Sequence, residues 1–300
     1  MIFRKHKFKL KTIVAFVAVI VVVVSYSLAA IVLHVNMSDF LKEKVTNSSF
    51  SNAKQISKKV EMSFSEVESL TKRISGSNVL KEYIEEYNLK KSIPFEKRYI
   101  TRQINSFLDN AKVYAEGVEA ILFVLPDEHF YVGGDYYKDH VTVNFDELID
   151  SPFYDLLDST PKKPVLLYLD EDVIHDVDSY SSKQNILLKG STLFVSKVVF
   201  DKEVYGIIII KINDDWINSI IAENNQAAII DSKNILWKGE QVRKVPVSDV
   251  FPTINKKDSG VIEGVIKERV FFNKLSWGEW YLLYFEDLES SANSLKFISY

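Results

Sequence analysis

The 22 residues Thr12–Leu33, TIVAFVAVIVVVVSYSLAAIVL, carry no charge. A helix of that length extends about 33 Å, enough to cross the hydrocarbon core of a bilayer. β-Branched residues lower its helix propensity in water, but in lipid the backbone must satisfy its own hydrogen bonds, and a helix is the only local way to do so. A cleaved signal peptide is the rival reading: Ile13–Val24 has the length of a signal core, and Ser27-Leu28-Ala29 resembles a cleavage site. The apolar run continues past Ala29 to Val35, which favours an uncleaved anchor over residues 12–35.

Charge orients that anchor. Arg4, Lys5, Lys7, Lys9 and Lys11 give the first 11 residues five positive charges, leaving −9 on the remainder of a chain whose net charge is −4. Positive residues stay on the cytoplasmic side, so residues 36–300 are expected outside the cell. A body of that sign is a poor nucleic-acid binder. Cysteine is absent, which excludes disulfides, thiol catalysis and cysteine metal sites.

Beyond the anchor, Met37–Ser75 contains neither Gly nor Pro. Ala53, Ile56, Val60, Phe64, Val67, Leu70 and Ile74 recur at gaps of three and four, the rhythm of one helix face. This predicts a stalk helix over residues 36–75, its stripe packed on its own domain or on a second copy of the chain. Gly76-Ser77 ends it. Asn78 caps a second helix, Val79–Tyr87, and a third covers Phe95–Ala115 with Ile100, Ile104, Phe107 and Leu108 inward.

The hydrophobic period then shortens to that of strands. Ala120–Leu125, His129–Val132, Val165–Leu169, Asn185–Leu188 and Leu193–Phe200 read as strands, with a short helix at Phe145–Leu157. Asp201-Lys202-Glu203 is a tight turn into Val204–Asn213, whose four consecutive isoleucines mark a central strand covered on both faces. Gly206 allows a close approach to that strand. Asn213 or Asp214 caps a helix, Asp215–Glu223. A second cycle follows: strands at Gln226–Ile230 and Ile235–Lys238, a polar loop, and a three-stranded meander from Gly260–Ile266, Arg269–Leu275 and Trp280–Phe285. Asp287–Tyr300 reads as a helix. The fold class is α+β: a long transmembrane and stalk helix followed by two antiparallel-sheet modules.

This order resembles the double Cache (tandem PAS-like) extracellular sensor region of bacterial membrane receptors. LFVSKVVFDKEVYGIIIIKINDDWINSII looks like the segment that closes the membrane-distal module, AAIIDSKNILWKG like the hairpin that opens the proximal one, and LSWGEWYLLYFED like the closing segment. The resemblance implies a distal module over 76–213, a linking helix over 214–225, a proximal module over 226–286, and a C-terminal helix over 287–300 leading towards a second membrane span. It also implies extracellular ligand sensing for a sensor histidine kinase or a membrane-bound AraC-type regulator, with the output domain outside this chain. A membrane-anchored protein-binding module without signalling is the alternative. A small-molecule ligand or an extracellular protein is the expected partner, with homodimerisation through the stalk helix and no cofactor.

The amino-acid-binding branch of that family uses an Arg-x-Trp-Tyr motif, a middle acid, and an Asp ending the long distal strand. Here Ser151, Phe153 and Tyr154 stand in the motif, Asp170 matches the acid, and Lys211 replaces the Asp. Arginine would grip a carboxylate and aspartate an ammonium, so this chain has lost the first and reversed the second. Lys211 either faces a pocket, favouring an anionic or hydroxylated ligand, or lies at the strand edge, reaching to water or pairing with Asp170. Tyr131, Tyr136, Tyr137 and Tyr168 are further candidate lining residues.

No catalytic arrangement stands out. Gly133-Gly134-Asp135 lacks the context of a cyclase signature, and the acidic stretch Asp170–Asp178 lacks the Gly and closing Glu of an EF-hand. The five histidines show no His-Glu-x-x-His spacing. The chain reads as non-enzymatic, without a metal.

Overall fold

The computed structural model describes residues 3–91, 93–126, 130–133, 157, 163–169, 190–222, 226–242, 247–262 and 269–286. The expected helices at Phe145–Leu157 and Asp287–Tyr300 and the strand at Asn185–Leu188 lie outside these residues, apart from Leu157, which is buried. The anchor and stalk segments form one helix, α1 (Phe3–Ser75). The chain divides into two compact units, residues 1–52 with 286–300, and residues 53–285. In the first unit the apolar stretch Thr12–Met37 is fully exposed, and it is long and apolar enough to cross a membrane. There Ser49 donates to the Glu286 carboxylate at 3.3 Å, and both residues are buried.

The second unit is built on the end of α1. Ala53, Ile56, Val60, Phe64, Val67, Leu70 and Ile74 are all buried, as their spacing requires. Each large side chain in such a stripe contributes about 1.5–3 kcal/mol. The stalk's distal half therefore packs on its own domain. Helix α2 (Asn78–Lys90) starts one residue earlier than expected, and its cap is Ser77 rather than Asn78: Ser77, in an extended conformation, accepts from the Leu80 N–H. It continues three residues past Tyr87, where Lys90 pairs with Glu86 at 2.7 Å. Helix α3 (Pro94–Val113) has proline in its first turn, where the missing N–H costs nothing. Ile100, Ile104 and Leu108 face inward, and Phe107 is only half-buried.

The distal sheet comprises β1 (Val118–Val124), β2 (Phe130–Gly133), β3 (Val165–Tyr168), β4 (Thr192–Phe200) and β5 (Glu203–Ile212), all antiparallel, in the order β2-β1-β5-β4-β3. The isoleucine run is thus the middle strand of five, and Ile207–Ile210 are fully buried. A Cβ on Gly206 would lie 2.4 Å from the Val124 carbonyl oxygen, so the close approach expected there is real. The β4–β5 turn places Asp201 and Lys202 at φ 51° and 74°. That left-handed pair matches the twist of a tight hairpin, and Lys81 pins it through an ion pair to Asp201 at 2.7 Å.

Helix α4 (Asp214–Ala222) leads to the proximal sheet, ordered β7-β6-β10-β9-β8. Its strands are β6 (Ala227–Ile230), β7 (Ile235–Lys238), β8 (Ser259–Ile262), β9 (Arg269–Lys274) and β10 (Tyr281–Glu286). The expected meander is present. The expected polar loop before it is not wholly a loop, because α5 (Val247–Ile254) lies within it. Val247, Val250, Phe251 and Ile254 sit at i, i+3, i+4 and i+7 and are buried. Pro252, which forfeits a backbone bond, disguises that period. These side chains fill one face of the sheet together with Phe272, Tyr281 and Leu283.

Phe64 of α1 joins the two sheets. Its ring lies 6.1 Å from Phe194 of the distal sheet and 6.0, 5.5 and 6.2 Å from Trp237, Trp277 and Trp280 of the proximal module. One turn earlier, Glu61 accepts from both the backbone N–H (3.1 Å) and hydroxyl (2.7 Å) of Ser276.

Candidate functional site

Strand register assigns the two faces of the distal sheet. Phe194 meets Phe64 of α1, Tyr131 meets Tyr87 of α2, and Gly133 lies against Leu108 of α3. The paired rows Phe194–Ile210–Ile121–Gly133 and Ser196–Ile208–Phe123–Tyr131 therefore share the helix face. Tyr168, opposite Thr192, belongs to the same face. Leu193, Val195, Lys197, Ile207, Ile209, Lys211, Ala120 and Leu122 project the other way, and all but Lys211 are buried.

The candidate residues thus separate. Tyr131 is 2% exposed, stacked on Phe123 at 6.0 Å and edge-on to Tyr87, the packing of a core residue rather than a pocket wall. Tyr168 is half-buried at the sheet's edge, on the same side. Lys211 alone of the described candidates is on the opposite face. Phe153, Tyr154 and Asp170, with Tyr136 and Tyr137, lie outside the described residues.

Lys211 is held by an acid that sequence reading missed. Its ammonium is 2.9 Å from the Glu119 carboxylate, with side-chain exposures of 12% and 35%. Glu119 sits where the β1–β5 register slips between Val118 and Ala120. The bulge turns a residue out of the alternation and aims its carboxylate at the lysine. Asp214, three residues on, adds a second carboxylate near Lys211 and accepts from the Trp237 indole N–H at 3.0 Å. Asp214 is exposed as a residue, yet partial desolvation of its carboxyl raises its pKa. The Trp237 hydrogen bond and Lys211 oppose that shift, and Glu119 and Asp215 add to it.

Lys197 was also missed. It is 7% exposed in β4, on the same face as Lys211 and four residues along β4 from Leu193, the residue opposite Lys211. Its signal was a lysine inside LFVSKVVF, a run otherwise apolar enough to be buried on both faces; lysine is rarely buried without a polar partner. The face therefore carries two lysines among the fully buried Leu193, Val195, Ile207 and Ile209. Two open clefts, of about 320 Å³ beside Lys91 and Tyr205 and about 500 Å³ beside Arg73 and Tyr114, contain none of the candidate residues. Among the described residues no cluster of three or more metal-ligating side chains occurs.

The chain matches no protein-family model, and no curated protein matches it in sequence. Solved structures do match it in fold. The sensory domain of the Campylobacter jejuni chemoreceptor Tlp3 with isoleucine bound aligns at TM-score 0.56 and 12% identity, covering 84% of this chain and 96% of that one. The extracellular domain of the histidine kinase vpHK1S-Z8 aligns at 0.53 and 11%, covering 86% and 98%. The ligand-binding domain of the Pseudomonas fluorescens chemoreceptor CtaA in complex with L-isoleucine aligns at 0.51 and 11%, covering 85% and 98%. With two antiparallel five-stranded sheets and one apolar N-terminal helix, the chain has the double Cache fold of bacterial extracellular sensory domains.

Proposed function

We propose that this protein is the extracellular ligand-sensing region of a transmembrane receptor, serving a sensor histidine kinase or a membrane-bound transcription regulator. Thr12–Met37 anchors it, with the basic N-terminus in the cytoplasm. The ligand binds the distal module at Lys211, on the side of the sheet opposite α1, α2 and α3. The observation that carries this reading is Lys211 on the central strand, paired with Glu119 of β1, where the resemblance leads one to expect an aspartate that holds an ammonium. A lysine there, with serine in place of the arginine, suits an organic acid or a sugar rather than a free amino acid.

A thermal-shift screen of the detergent-solubilised chain tests this. A ligand at a hundred times its Kd stabilises by about 2.7 kcal/mol, a rise of roughly 5–10 °C for a protein of this size. We expect that response from an organic acid or sugar and its loss in Lys211→Met. Stabilisation by amino acids alone contradicts the ligand class. No response to any small molecule favours the alternative, an anchored protein-binding module.

Homodimerisation through the membrane-proximal part of the stalk helix completes the proposal. The chain has no cysteine, so single cysteines introduced along 40–48 report on it cleanly. Oxidation in membranes is expected to cross-link those on one helix face, at spacings of three and four. Cross-linking at none of them rules out this interface.

A further inference from the structure

We propose that the joint between β5 and α4 relays the engagement of Lys211 by an anion to the proximal sheet through Asp214 and Trp237. This deepens the ligand-sensing proposal and rests on it for its biological meaning, although the relay itself can be read without a ligand.

The joint is short and clamped. Only Asn213 separates β5 from α4. Its backbone N–H donates to the Gly117 carbonyl at 2.8 Å, and its side-chain oxygen caps the helix at the N–H groups of Asp215 (2.8 Å) and Trp216 (3.4 Å). The Trp216 ring lies where a Cβ on Gly117 would be, at 2.2 Å. The end of the central strand, the start of β1 and the first turn of α4 therefore move together.

Charge links the two sheets across that joint. Lys211 is the positive group beside both Glu119 and Asp214. The groups facing the Asp214 carboxyl are Lys211, Glu119, Asp215 and the Trp237 indole N–H. Trp237 lies in β7, against Trp280 at 5.7 Å and Phe64 at 6.0 Å. An anion that engages Lys211 leaves Glu119, Asp214 and Asp215 less compensated. Their repulsion weakens the seat of the first turn of α4 beside β1, and the Asp214–Trp237 hydrogen bond carries the change into the proximal aromatic cluster. A ligand can shift the equilibrium only by its differential affinity for the two arrangements, and this contact supplies the difference.

Tryptophan emission of the full chain, followed against pH in detergent, tests the relay. Protonation of Asp214 is expected to change Trp237 emission in an acid transition above the ordinary aspartate range. Trp237→Phe removes that transition. Asp214→Asn, which keeps an acceptor for the indole, also removes it. Lys211→Met moves the midpoint to higher pH, because a positive neighbour is lost, and Glu119→Gln moves it to lower pH, because a negative one is lost. Circular dichroism confirms that each variant is folded; one that is not is replaced by Lys211→Gln or Glu119→Ala. Opposite shifts in the two charge variants support the relay. Equal midpoints in both, or a transition that persists in Asp214→Asn, overturn it. The ligand screen is independent: a relay that titrates as described while no ligand binds removes the sensing proposal alone, and ligand binding with unmoved midpoints removes the relay alone.

Discussion

Phe64→Ala is expected to lower the stability of residues 53–285 by about 4 kcal/mol, the upper range for emptying a fully buried phenylalanine site. The ring is completely buried and meets four others, Phe194 on one side and Trp237, Trp277 and Trp280 on the other. Its loss opens a cavity shared by two sheets, and neither can collapse into it without leaving the other. We therefore expect a single cooperative melt to become two, one for each module, and tryptophan emission to shift to the red as water reaches the indoles. Denaturant unfolding followed by fluorescence and circular dichroism measures both effects. Phe64→Leu keeps much of the volume and is expected to cost about half as much. A loss below about 1 kcal/mol in Phe64→Ala, with one unchanged transition, would falsify the role given to this residue as the shared core of both modules.

Gly117→Ala is expected to destabilise by roughly 3 kcal/mol, from two separable causes. Gly117 has φ +79°, a conformation that costs an alanine, and its missing Cβ is the space occupied by Trp216 at 2.2 Å. The causes part in the double variant. Trp216→Ala made in the Gly117→Ala background relieves the overlap but not the backbone strain. The pair should therefore be less destabilised than the two single losses predict when added. Urea unfolding of the four proteins of the cycle gives the coupling, and additive losses contradict the contact. Because the Asn213 N–H donates to the Gly117 carbonyl, Gly117→Ala also disturbs the β5–α4 joint and is expected to blunt any ligand response there.

Local periodicity carried much of this structure into view. The stripe from Ala53 to Ile74 could be buried only as one helix face, and all seven residues are. The isoleucine run had to be covered on both sides, and β5 is the middle strand of its sheet. Asn213 could be recognised as a helix cap because an Asx side chain before a run of periodic apolar residues satisfies free N–H groups. Where local signals conflicted, the reading slipped. Pro252 hid α5, although the spacing Val247, Val250, Phe251, Ile254 was present.

The candidate site was less legible. Lys211 drew notice as a charge ending an apolar strand, yet nothing near it in sequence identifies Glu119, 92 residues away, as its partner. That pairing depends on a register slip between β1 and β5, and a slip of one residue reverses which side chains share a face. For the same reason Tyr131 and Lys211, both plausible pocket residues by type, fall on opposite faces of one sheet.

The linear order of residues by itself determined the apolar N-terminal helix, the helix stripe and the switch from helical to strand period, because each depends on neighbours within a few positions along the chain. Only the tertiary structure decided which acid meets Lys211, which face of the distal sheet α1, α2 and α3 pack against, and that Phe64 closes two cores at once. Those outcomes come from strand register and from packing between elements distant in sequence, where the free energy of a contact is set by partners that no local pattern specifies.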